Sequence, residues 1–149
     1  MRVVDKAFAY VTDGPRLLVF RHRDFPDAGL QVPAGTVQPG ETPVDAVLRE
    51  VREEAGLEAF LGARALGVVE FDARTIGKTE LHRRQFFHLP IAGKPADSWR
   101  HYERHATESE SAEALAFDFY WLPFVEAQAL LCGDHGCLID TLKSCPDRS

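Results

Sequence analysis

Residues 35–57, GTVQPGETPVDAVLREVREEAGL, carry five carboxylates, Glu41, Asp45, Glu50, Glu53 and Glu54, in a segment that nonetheless reads mostly as one helix. Thr42 is a good N-cap, Pro43 brings a pre-set φ to the first helical position, and Asp45 places negative charge where the helix dipole favours it. Gly56 suits the left-handed position just past the last turn. Local chemistry therefore predicts a helix over 43–55. With Glu50 at zero and about 100° per residue, Val44, Val47, Leu48, Val51 and Ala55 fall between roughly 60° and 160°, one apolar stripe that buries against a sheet. Asp45, Arg49 and Arg52 form a mixed-charge flank, and Glu50, Glu53 and Glu54 share the remaining arc. Like charges at i,i+3 and i,i+4 cost up to about 0.5 kcal/mol per pair. A divalent cation reverses that sign: Mg²⁺ and Mn²⁺ take oxygen ligands and are commonly shared between protein carboxylates and substrate phosphates. Acidic helix faces are usually just solvated. Here the acidic arc adjoins the apolar stripe, and a strand ending in Pro33-Ala34-Gly35 brings free backbone groups to the same place.

The rest of the chain frames this helix. At 149 residues, 45% hydrophobic and 27% charged, it is expected to fold as one domain over 1–149. The formal charge of −6 is the wrong sign for a long nucleic-acid partner. The N-terminal MRVVDKAFAYV has charges within its apolar pattern and no cleavable hydrophobic region, and no run is long enough to span a membrane. A cytoplasmic protein is the expectation. Three cysteines, Cys132, Cys137 and Cys145, do not form a secreted disulfide framework and read as reduced thiols.

Strands are predicted at 3–11 and 16–22, joined by Asp13-Gly14-Pro15, with a short apolar piece at 30–35. Residues 65–73 and 83–91 read as a hairpin. Residues 92–114 show no sustained period and read as a long lid or binding loop. A strand at 115–123 precedes helical patterns at 124–131 and 135–143 that would cover a sheet face. The order points to an α/β sandwich.

The fixed spacing of Gly35, Glu41 and the run Arg49-Glu50-Val51-Arg52-Glu53-Glu54-Ala55-Gly56-Leu57 resembles a complete Nudix box. The resemblance implies an α/β/α sandwich with a mixed β-sheet and hydrolysis of nucleoside diphosphates linked to another moiety, with Mg²⁺ or Mn²⁺. It assigns Glu50, Glu53 and Glu54 to the metal, Arg49 to holding the glutamates by an ion pair, Glu41 to bracing the loop, and the backbone at Ala34 and Gly35 to a carbonyl ligand, with Gly56 closing the box. It leaves the general base to a box glutamate or a loop carboxylate. Among Glu103, Glu108, Glu110 and Glu113, Glu110 is the residue favoured here.

Arg21, Arg23 and Arg84, near strand ends and beside His22, His82 and Arg83, are candidates for binding substrate phosphate. Phe25, Phe86, Phe87 and Trp99 could stack a base, although strand phenylalanines are more often core. CGDHGC at 132–137 lacks zinc spacing. The region after the box reads Asp72-Ala73-Arg74-Thr75, without the proline or tyrosine that marks ADP-ribose or diadenosine polyphosphate specificity in similar subfamilies. The expected substrate is a small nucleotide-type diphosphate: a nucleotide sugar, a dinucleoside polyphosphate or an NTP. The alternatives are RNA 5′-pyrophosphate removal and a catalytically silent nucleotide sensor. Prenyl diphosphate isomerisation would need a cysteine near the site, and none precedes Cys132. A homodimer is a family-level expectation.

Overall fold

Both apolar runs at the N-terminus form strands, β1 (Arg2–Asp13) and β2 (Arg16–His22), and the turn between them uses Gly14 at φ 61°. The computed structural model describes residues 1–103 and 115–143. Next come β3 (Ala34–Thr36), α1 (Pro43–Ala55), β4 (Arg64–Asp72), β5 (Glu80–Pro90), β6 (Ser98–Glu103), β7 (Leu115–Pro123), α2 (Phe124–Leu130) and α3 (Ile139–Lys143). They build a seven-stranded mixed sheet in the order β4-β5-β1-β2-β7-β6, with β3 added onto β1. The β1–β5 pair is parallel and the others are antiparallel.

Alternation along the strands makes two cores. On one face Ala7, Ala9, Val11, Leu18, Phe20, Phe87, Phe117, Phe119 and Trp121 pack against Ala46, Val47, Val51 and Ala55 of α1. On the other, Phe8, Tyr10, Leu17, Val19 and Phe86 pack against Ala127, Ile139 and Leu142 of the C-terminal helices. The sandwich is as the sequence implies. Among the described residues no helix is long and apolar enough to cross a membrane.

The loop expected over 92–114 is corrected at its start. Ser98–Glu103 is an edge strand in full antiparallel register with β7. Its outward residues Ser98, Arg100 and Tyr102 are polar or amphipathic, and Arg100 pairs with Asp118 at 2.6 Å. Residues 104–114 and 144–149 lie outside the described part, and with them Glu108, Glu110, Glu113 and Cys145. The last predicted helix, expected from residue 135, begins at Ile139, since the residues before it are held in turns by i→i−3 bonds from the Cys137 N–H to the Asp134 carbonyl and from the Ile139 N–H to the Gly136 carbonyl.

Candidate active site

The acidic helix is set by its two ends. Thr42 accepts the Asp45 N–H at 3.2 Å, and Gly56 closes the helix at φ 76° with its N–H on the Arg52 carbonyl. A Cβ on Gly56 would meet the His101 ring of β6 at 3.0 Å, and Trp99 donates its indole N–H to the Ala55 carbonyl at 3.0 Å. Strand β6 thus locks the C-terminal end of α1. Trp99, stacked on Phe119 with centroids 5.4 Å apart, is a structural residue rather than a base-stacking one.

That lock brings Glu103 under the helix. Oxygens of Glu50, Glu54 and Glu103 all lie within 4.8 Å of one another, and Glu103 is only 6% exposed. Burial, and then the charges of Glu50 and Glu103, push the Glu54 carboxyl well above the usual carboxylate range, although the Ala34 N–H donates to it at 3.1 Å. Glu53 lies on the same arc but faces solvent, with Arg49 at 3.2 Å. It is not among the three clustered carboxylates. Glu103 is the residue the sequence left in a list of loop carboxylates; Glu110, favoured as base, falls outside the described residues.

Arg49 holds the frame. Its guanidinium donates to both oxygens of Glu41 at 2.7 and 3.0 Å, to Glu50 at 2.8 Å and to the Thr36 carbonyl at 3.1 Å. The side chain is 15% exposed, and its fork satisfies loop and helix together as a lysine ammonium could not. The same pairing lowers the Glu41 pKa, and Glu41 in turn accepts the Gln38 N–H at 2.9 Å. Gly35 is required by proximity, because a Cβ there would lie 2.0 Å from the Glu50 carboxyl carbon.

The three candidate phosphate-binding arginines are not gathered at these carboxylates. Arg21 alternates to the sheet face opposite α1, opposite Asp118 in the β2–β7 ladder. Arg23 pairs with Asp24 at 3.0 Å. Arg84 is buried at 4% exposure between the rings of Phe71 and Phe8, 3.7 and 4.7 Å from its guanidinium carbon, and donates to the Gly133 carbonyl. Two residues before Phe86 on the inward face of β5, it belongs to the C-terminal-helix core, and burial lowers its pKa. Phe86 and Phe87 are core residues too. In CGDHGC, His135 accepts the Val32 N–H through Nδ1 at 3.2 Å, and among the described residues no metal-type cluster forms there.

The sequence profile of the NUDIX domain matches residues 3–141. The chain belongs to the Nudix family. The Nudix fold is shared with the dihydroneopterin triphosphate pyrophosphohydrolase of E. coli at TM-score 0.62 and 26% identity, covering 93% of this chain and 92% of that one. A MutT NUDIX hydrolase from Burkholderia pseudomallei shares the fold at TM-score 0.65 and 18% identity, covering 94% and 98%. A curated relative, the NAD-capped RNA hydrolase NUDT12 of Macaca fascicularis, is 48% identical over 46 residues, or 31% of this chain. The chain matches only 10% of that relative's length.

Proposed function

We propose that the protein is a Mg²⁺- or Mn²⁺-dependent pyrophosphohydrolase for a small nucleoside diphosphate linked to another moiety. The observation that carries this reading is the convergence of Glu50 and Glu54 from α1 with Glu103 from β6. A donor set of crowded carboxylates fits a hard divalent cation. Glu50 and Glu54 would hold the ion, with the backbone at Ala34 and Gly35 alongside.

A bound divalent ion neutralises phosphate charge and makes the phosphorus accessible to a nucleophile. The chain supplies the remainder. Arg49 fixes Glu50, and the Ala34 N–H fixes Glu54, so that neither carboxylate must reorganise when charge develops. Glu103 faces them from β6 and takes the proton of the attacking water as the water oxygen bonds to phosphorus and the bridging P–O bond breaks. The leaving phosphate departs with the bridging oxygen. Small diphosphates are favoured over RNA ends by the net charge of −6.

The test is turnover of ADP-ribose, nucleotide sugars, dinucleoside polyphosphates, NTPs and triphosphorylated or capped RNA, with Mg²⁺ and with Mn²⁺, using Glu54→Gln as the blank. The expected result is activity on one small-molecule class and at least a 100-fold loss in the blank. Undiminished activity of Glu54→Gln would sink the carboxylate assignment. Nucleotide binding without turnover on any substrate would make the protein a sensor.

A further inference from the structure

The face of the sheet that carries Glu103 continues into an aromatic run that the hydrolytic chemistry does not use. In the β6–β7–β2 register Glu103 stands opposite Leu115, and His101, Phe117 and His22 form the next rung. These residues share the α1 side, since Phe117, Leu115 and Phe20 all belong to that core. His22 stands edge-on to Phe117 with centroids 4.6 Å apart, and Phe25 stands edge-on to His22 at 6.0 Å. The run therefore goes from core to surface, and its last member, Phe25, is 58% exposed.

Phe25 is not on a frayed segment. It precedes the 3₁₀ turn Pro26–Ala28, and its carbonyl accepts the Ala28 N–H at 2.9 Å. On the strand side, the Arg23 N–H donates to the Ala116 carbonyl at 2.9 Å. Single exposed apolar side chains are ordinary. This one ends a fixed run of rings whose inner member, Phe117, stands one rung from the strand pair that carries Glu103. His22 lies two strand spacings across and one rung along from Glu103, about 12 Å, and the Phe25 ring stands 6.0 Å from the His22 ring, so a nucleoside diphosphate would have to lie extended, terminal phosphate at the carboxylates and base at the rings.

We propose that Phe25, backed by His22 and Phe117, is the shelf on which the nucleobase of the substrate stacks. The inference rests on the hydrolase reading for what occupies the carboxylate end and adds the recognition of the other end. Every base presents a π-face, so the shelf selects for a planar heteroaromatic group and discriminates little among bases. Specificity for one base would have to come from groups around its edge.

Calorimetric titration of the Mg²⁺-loaded protein with ADP and with ribose 5-diphosphate isolates the base as the one difference between the ligands. Wild type is expected to bind ADP the more tightly. Phe25→Ala should shrink that preference by roughly 5- to 20-fold, the lower part of the range for base–aromatic stacking, and Phe25→Trp should restore it. Equal affinity of wild type for both ligands, or a preference that survives in Phe25→Ala, would overturn the shelf. The two readings fail separately. A preference lost in Phe25→Ala without turnover on any diphosphate would refute the hydrolase and keep the shelf; turnover with a preference indifferent to residue 25 would do the reverse.

Discussion

Gly35→Ala separates the geometry of the site from the stability of the fold. An alanine Cβ at this position would fall 2.0 Å from Cδ, 2.1 Å from Oε2 and 2.5 Å from Cγ of Glu50. Ordinary contact begins near 3.4 Å, so the carboxylate must retreat by about 1.4 Å. The obstacle is the end of a flexible side chain, and Gly35 does not take positive φ, so the backbone can accept alanine without strain. What breaks is the 2.8 Å bond from Arg49 to Glu50, while the Arg49–Glu41 fork survives. Loss of one charge-assisted hydrogen bond between largely buried side chains sets the stability change at about 1.5–3 kcal/mol. A displacement of about 1 Å in a catalytic group lowers turnover on the order of 100-fold, equivalent to about 2.7 kcal/mol in the barrier. Urea denaturation and kcat on whichever substrate the panel identifies read the two quantities separately. Full turnover in a folded Gly35→Ala would refute the placement of Glu50 at the reacting centre. Outright unfolding would refute the view that the conflict is confined to one side chain.

Further expectations concern the opposite face of the sheet. The buried Tyr10 hydroxyl donates to the His135 carbonyl at 2.6 Å and accepts the Leu138 N–H at 3.1 Å. Tyr10→Phe strands both groups and is expected to cost about 1–3 kcal/mol in urea denaturation while leaving kcat within twofold; a large fall in kcat would show that this face feeds the site. Burial, with the positive charge of Arg84 beside it, lowers the His135 pKa to about 3 from 6.5. Between these values the unfolded chain binds the proton and the folded one does not, so this group's contribution is complete above pH 6.5 and declines as the pH falls toward 3. His135→Asn keeps an acceptor for Val32 and removes the titration. Its stability should fall less steeply than that of wild type between pH 6.5 and 4, and parallel curves would refute the assignment.

Helix α1 was legible because every signal that bounds it is local: Thr42, Pro43 and Gly56 do in the structure what their chemistry predicts. Strand β6 was not, because its inward residues are Trp99, His101 and Glu103, of which only the first looks like core. His101 faces inward to fit against Gly56, and Glu103 to meet Glu50 and Glu54, contacts that exist only once the helix lies across the strand. Hydrophobic alternation cannot report a strand whose buried face is largely polar. Arg84 is the opposite case. Its two-residue spacing from Phe86 carried the signal for burial, but the neighbouring Arg83 and His82 made the stretch read as a basic surface. Arg83 does face solvent, paired with Asp5 at 2.8 Å.

The position of β1 bears on how the protein acquires its activity during synthesis. This strand lies inside the sheet, yet its long parallel partner is β5, reached only at Glu80–Pro90, and Tyr10 finds its hydrogen-bond partners 125 and 128 positions along the chain. Contacts of such separation slow folding, because loop closure must precede the burial that rewards it. β2 waits for β7, a longer wait than that of β1 for β5. A nascent chain stopped before Ser98 holds every residue of the box and lacks both Glu103 and the strand that pins Ala55 and Gly56. Cation binding by such a fragment is expected to be weak, and tight binding should emerge cooperatively once β6 and β7 have been made.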